Sequence, residues 1–435
     1  MLHPILAVGG GVDVHPAWLL PFVLLLLCIA VMPFISHRWW ERHYPKVSVG
    51  LGGLVAAYYV FGLRDAERMV HVAHEYVSFI ALIGSLFVVA GGIHIRVKGE
   101  STPAVNCLFL LLGAVLANVI GTTGASMLMI RPWLRMNKYR VTAFHVAFFI
   151  FIVSNVGGCL TPVGDPPLFL GYLRGVAFGW TLAHCWPAWL VAVGGLLAIF
   201  YVLDHRNFLR APAPVRVRET AHETWKFDGL HNLFWLAVIL GAVFIERPAG
   251  LRELLMALAA IASFVWTPRS VHEANDFTFR ALVEVAWLFA GIFATMVPAL
   301  DYLQSHAHSL GLDSSLKFYW AAGSLSSVLD NAPTYVTFLA AGMGTHDLSV
   351  AVQADVAAYA AKCPRELLAL SIGAVFFGAM TYIGNGPNFM VKSIAEHAKV
   401  HVPGFGGYLV RYALPFLLPV LAVVALLFFS RWAVL

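Results

Sequence analysis

From residue 17 to residue 35 the chain carries no charged side chain, and apolar runs of spanning length recur at 47–63, 74–95, 142–175, 180–203, 228–246, 251–267, 279–300, 366–398 and 408–430. About 20 apolar residues in a helix cross a hydrocarbon core of about 30 Å. The pattern therefore predicts an all-α polytopic membrane protein whose first partner is the lipid bilayer. Composition agrees: 60% of the 435 residues are hydrophobic and 12% are charged. That is about half the charge of a soluble domain. It excludes a soluble enzyme, a disordered chain and a nucleic-acid binder. Five scattered Cys without a CxxC pair argue against a disulfide framework or a zinc knuckle. The first 15 residues hold no Lys or Arg, so the first run reads as a span and not as a cleavable signal.

Two further segments, 104–131 and 316–343, are apolar but interrupted in the middle by polar and Gly/Pro residues. Each arm is about 10–14 residues, or about 15–21 Å of helix, too short to span. Both read as re-entrant hairpins, because irregular backbone at membrane depth survives only where protein or a wet cavity lines it. The long runs 142–175 and 366–398 each contain a break. One is Gly157-Gly158-Cys159-Leu160-Thr161-Pro162-Val163-Gly164-Asp165-Pro166-Pro167, the other Thr381-Tyr382-Ile383-Gly384-Asn385-Gly386-Pro387-Asn388. Pro removes a backbone donor and Gly loosens the helix, so both are read as discontinuous helices.

The order of these features repeats: three spans, a hairpin, a broken span, a final span. Glu75 and Glu284 open matching spans 209 residues apart, and the hairpin tips Asn118 and Ser327 share that spacing. Residues 161–169 align with 381–389 with four of nine positions identical. The expected organisation is a first repeat over 1–203, a connector over 204–227 and a second repeat over 228–435. With five spans per half, the second repeat enters the membrane upside-down. If the N-terminus lies outside, 18 of the 28 Lys and Arg residues fall in the predicted cytoplasmic loops, as the positive-inside bias requires. Both termini are then expected outside, and a bacterial inner membrane is the expected location.

Inverted repeats with broken helices meeting near the midplane are the layout of secondary transporters. Unwound segments free carbonyls for cations, and half-helix N-termini face anions. The polar residues expected to line the site are Asn118, Thr122, Thr123, Ser126, Ser154, Asn155, Thr161 and Asp165 in the first half. In the second half they are Ser326, Ser327, Asp330, Asn331, Thr334, Thr381, Asn385 and Asn388. Asp165 and Asp330 stand out, since a charge at membrane depth costs at least ~2.5–3.5 kcal/mol unless compensated. Desolvation favours a neutral acid and a bound cation favours a carboxylate, so one such group can hold Na⁺ or H⁺ but not readily both. The bland alternative is that each aspartate only caps a helix, as Asp before Pro166-Pro167 does well.

Ser154-Asn155-Val156-Gly157-Gly158, Thr161-Pro162-Val163-Gly164-Asp165-Pro166-Pro167 and Leu329-Asp330-Asn331-Ala332-Pro333-Thr334 resemble signature segments of the ion transporter superfamily. That group holds NhaD-type Na⁺/H⁺ antiporters, arsenite-efflux permeases and citrate and dicarboxylate carriers. The resemblance implies a homodimer with a scaffold and a transport domain, working by an elevator movement. The sodium-coupled dicarboxylate carriers place Ser-Asn-Thr at both hairpin tips. Here the tips read Asn118-Val119-Ile120-Gly121-Thr122 and Leu329-Asp330-Asn331. The acidic residues favour a Na⁺(Li⁺)/H⁺ antiporter, with Asp165 and Asp330 as tentative Na⁺ ligands and no cofactor. A Na⁺- or H⁺-coupled carrier of citrate or a dicarboxylate, or an oxyanion exporter, is the alternative. No GxSxG, HExxH or P-loop pattern supports an enzyme. His71, His74 and Glu75 form an H-x-x-H-E cluster that reads more readily as interfacial than as a metal site. His145 and Glu284 at span ends could line a proton path, and His306 and His308 read as residues of a solvated loop.

Overall fold

The computed structural model describes residues 14–96, 101–210, 226–245 and 247–430. It is 79% helical. Among the described residues, seven helices are long and apolar enough to cross a membrane, or eight if one bent pair counts as a single span. The protein is a multi-pass membrane protein.

The first three helices are α1 (Leu20–Ile35), α2 (His37–Ala57) and α3 (Ala66–Gly91). α2 begins ten residues before its predicted span of 47–63. Asp65 starts α3 by accepting a hydrogen bond from the Arg68 amide at 3.0 Å, which satisfies a donor the helix cannot. α4 (Pro103–Met136) starts on the Thr102 side chain, which accepts from the Val105 amide. Its 34 residues would cross a bilayer as one rod, but the helix reverses at Gly121, whose φ of +75° and ψ of 156° are costly for any other residue. The reversal lays the arms side by side. Asn106 and Asn137 exchange amide hydrogen bonds of 2.8 and 3.1 Å, and the Phe109 and Trp133 rings stack at 5.9 Å.

α5 (Ala143–Ile152) and α6 (Pro166–Arg174) are two short helices separated by an unwound stretch with one 3₁₀ turn at Val156–Leu160. Every residue from His145 to Ile152 is buried, so α5 is surrounded by protein and not by lipid. α7 (Phe178–Arg210) runs past its expected end at 203, placing Arg206 and Arg210 of the expected connector on a helix. Residues 211–225 of that connector, with Arg216 and Arg218, lie outside the described residues.

The second half contains α8 (Asn232–Ala242), α9 (Leu251–Trp266), α10 (Arg269–Ala274) and α11 (Arg280–Ser305). Here the expected spans 228–246 and 251–267 come out shorter. α8 has 11 residues and α9 has 16, about 17 and 24 Å of helix. α12 (Ser315–Ser326) and α13 (Asn331–Gly344) fold back on each other, with Gly342 of α13 beside the Phe318 ring of α12. α14 (Gln353–Lys362) meets α15 (Pro364–Phe377) at 101°. After an unwound stretch comes α16 (Gly386–His397), and α17 (Phe405–Phe429) is the last helix among the described residues. α12 packs tightly on α15 because Gly323 lies against the Phe377 ring and Gly373 against the Tyr319 backbone. Small residues allow helices this close in a membrane.

One feature departs from an all-α reading. His94–Arg96 (β1) and Lys226–Asp228 (β2) pair as a short antiparallel ribbon between the two halves. Six residues between charged neighbours carry no alternation long enough to read as strands.

Candidate functional site

The tips of the two folded-back segments each dock on an unwound stretch, and they do so through the same bonds. In the first half the Thr122 amide donates to the Gly164 carbonyl (2.7 Å) and the Thr161 hydroxyl donates to the Asn118 carbonyl (2.6 Å). In the second, the Asn331 amide donates to the Gly384 carbonyl (3.1 Å) and the Thr381 hydroxyl to the Ser327 carbonyl (2.6 Å). Each threonine oxygen also accepts from the following glycine amide, Gly164 at 3.1 Å and Gly384 at 3.3 Å. Tip residues correspond at a spacing of 209 and break residues at 220. The glycines are needed for space: a Cβ at Gly164 would collide with the Gly158 carbonyl, and one at Gly384 would lie 2.5 Å from the Ser326 carbonyl.

Asp165 sits where all four of these pieces meet. Its backbone is extended at the start of α6, yet its side chain makes no capping bond. The carboxylate turns inward. Oδ1 accepts from the Thr122 hydroxyl at 2.7 Å and from Asn385 Nδ2 at 3.0 Å, while Oδ2 accepts from Asn331 Nδ2 at 2.6 Å. The residue is 1% exposed and all three donors are neutral. The other amide atom of Asn331, Oδ1, is buried with no hydrogen-bond partner. A buried acceptor left unpaired costs about 1–3 kcal/mol. Beside the carboxylate lies a cavity of about 20 Å³ lined by Leu86, Ile120, Thr122, Thr123 and Gly164, room for about one water-sized guest.

The predicted site residues divide into two groups. Thr122, Ser126, Ser154, Asn155, Asn331, Asn385 and Asn388 join Asp165 in one buried network. Asn385 Nδ2 also contacts the Ser154 carbonyl (3.1 Å) and Asn155 Oδ1 (3.2 Å), and Asn155 Nδ2 donates to Asn388 Oδ1 at 2.7 Å. The Ser126 and Ser154 hydroxyls lie 2.7 Å apart. Thr123 lines the cavity, and others hold backbone in place. Asn118 donates to the Gly157 carbonyl and accepts from the Leu160 amide, Ser326 donates to Ala374, and Thr334 donates to the Asp330 carbonyl. Asp330 is only half-buried, and its carboxylate accepts from the Ala332 amide at 3.0 Å, capping α13.

Two buried ion pairs lie away from this site. Arg174 Nη2 donates to Glu75 Oε2 at 2.7 Å, with both side chains buried, and His71 Nε2 sits 3.5 Å from Glu75 Oε1 while His74 is exposed. Glu75 is thus the partner of a buried arginine, and the H-x-x-H-E cluster does not assemble around one point. At the base of the α4 hairpin, Asp204 is bound by Arg140, by His145 Nε2 (3.1 Å) and by Asn106 Nδ2 (2.8 Å). Sequence reading noted His145 but missed Asp204, which looked like the first residue of a solvated connector. His306 is held by the Tyr302 carbonyl at 3.1 Å, and His308 lies 3.8 Å from an exposed Asp347.

A buried polar site held between folded-back and unwound helices inside a multi-pass membrane protein defines the class of a membrane transporter. The comparison with known families narrows this: residues 11–429 match the model described as "Putative citrate transport", and the chain belongs to that family. It is also similar to a "46 kDa membrane protein" of Mycobacterium leprae (strain TN), 25% identical over 325 residues that cover 69% of this chain and 72% of the relative.

Proposed function

We propose that the protein is a secondary transporter that exchanges Na⁺ or Li⁺ for H⁺ at Asp165. The carrying observation is a buried carboxylate that receives three neutral donors and no cationic one. Bound cation and bound proton are the two ways to neutralise such a group, and they exclude each other. The Thr122 hydroxyl and the unpartnered Asn331 Oδ1 supply further hard oxygen atoms beside it, the ligand type that alkali cations take. Asp330 adds a second acidic group at the adjoining tip. The repeated tip-to-break bonds support reading the halves as two inverted repeats, 1–203 and 228–435. In this reading the hairpins and broken helices form the moving transport domain, and the other helices form a scaffold that pairs in a homodimer. Both termini lie outside a bacterial inner membrane.

The family description favours a second reading, a Na⁺- or H⁺-coupled carrier of citrate or a related carboxylate. Against it stand the small cavity and the absence of a cationic group among the Asp165 partners, since a tricarboxylate beside a carboxylate is repelled. Proteoliposomes containing a pH-sensitive dye separate the two. Under an imposed proton gradient, a dye response to NaCl and LiCl but not KCl, unchanged by citrate, is expected. A response only with citrate present contradicts the exchange reading.

A further inference from the structure

His346, Cys363 and Glu366 bring three different metal-ligating groups to one point on the far side of the molecule's second hairpin. His346 lies two residues beyond α13, Cys363 sits at the corner between α14 and α15, and Glu366 is in the first turn of α15. Their donor atoms all lie within 4.8 Å of one another. His346 Nε2 is 3.2 Å from Glu366 Oε2 and 3.3 Å from Cys363 Sγ. Bonds of about 2.0–2.3 Å in a tetrahedral zinc site place neighbouring donors about 3.3–3.7 Å apart, so both His346 distances suit a common metal. A single ring nitrogen has one in-plane site, either a proton or a lone pair, which the carboxylate and the thiol have to share.

We propose that these three residues bind a zinc-class divalent cation. Thiolate, imidazole and carboxylate together select zinc and its borderline neighbours over Mg²⁺ or Ca²⁺. Binding exchanges the thiol proton, released to solvent, for a sulfur–metal bond. The Tyr359 hydroxyl donates to Glu366 Oε2 at 3.1 Å and orients the carboxylate, as outer-shell partners do. Three protein ligands leave the fourth position to water, and the His346 side chain, 39% exposed, leaves the point reachable. The bound ion joins the end of the arm that begins at Asn331 to the α14–α15 corner. This ion is separate from whichever solute the protein moves.

The test is a Co²⁺ titration of the purified full-length protein in detergent. A near-ultraviolet thiolate-to-cobalt charge-transfer band is expected, saturating near one ion per chain and erased by Zn²⁺. Cys363→Ser abolishes it and Cys28→Ser keeps it. His346→Ala lowers Zn²⁺ affinity by at least about tenfold, the loss that even outer-shell changes cause. No band in the wild type, or a band that survives Cys363→Ser, overturns the proposal. If Cys363→Ser fails to fold, an unchanged Zn²⁺ affinity in His346→Ala overturns it alone.

Discussion

Replacing Thr122 by Val removes the hydroxyl that donates to Asp165 Oδ1 at 2.7 Å while keeping the side chain's shape. A hydrogen bond to a charged acceptor contributes about 1.5–3 kcal/mol. In the proposed exchange the bond stabilises the ionised carboxylate that Na⁺ requires, and its loss favours the protonated form. At about 1.4 kcal/mol per factor of ten, the apparent KM for Na⁺ at neutral pH is expected to rise about 10- to 100-fold. Thr122→Ser, which keeps the hydroxyl, stays near wild type. The rise shrinks toward alkaline pH, where protons compete less for the site. Initial rates of Na⁺-driven dye response in proteoliposomes across a pH series measure this. A Thr122→Val protein whose KM matches wild type at neutral pH would refute the reasoning, because the donor would then not act on the exchanging group.

Three more outcomes follow from the geometry. Asp330→Asn keeps the cap on α13, since Asn is as good a cap as Asp, so it isolates the charge: exchange is expected to be lost with thermal stability unchanged, and retained exchange would leave Asp330 with capping alone. Glu75→Gln leaves Arg174 buried without its partner, a change that costs about 3–5 kcal/mol; a lowered unfolding temperature is expected, and an unchanged one would contradict the ion-pair assignment. Gly164→Ala forces a Cβ against the Gly158 carbonyl and should abolish transport while Gly179→Ala, which meets nothing, transports normally.

Much of the site was legible because its signals are local. A Gly/Pro cluster inside an apolar run can only be an interruption, and the structure unwinds between α5 and α6 and before α16 where those clusters stand. The spacings of 209 and 220 in the sequence reappear as matched bonds at the tips and breaks. What stayed hidden depends on contacts between distant residues. Asp204 and Arg140 lie 64 positions apart, and Glu75 and Arg174 lie 99 apart, with no periodicity to link either pair. The two aspartates looked alike in sequence, yet Asp165 turns into the network and Asp330 turns to its own helix start. The short α8 and the α14–α15 corner also escaped, since hydropathy measures apolar length and not where a helix bends. The His346–Cys363–Glu366 group exists only because of that corner.

In the proposed exchange, one buried carboxylate alternately carries a cation and a proton. Uptake of radiolabelled Na⁺ against a pH gradient, in proteoliposomes of wild type and Asp165→Asn prepared side by side, tests it most directly. Uptake is expected in the wild type without citrate, and none in Asp165→Asn although that protein inserts and unfolds at the wild-type temperature. Equal uptake by the two proteins would contradict the account.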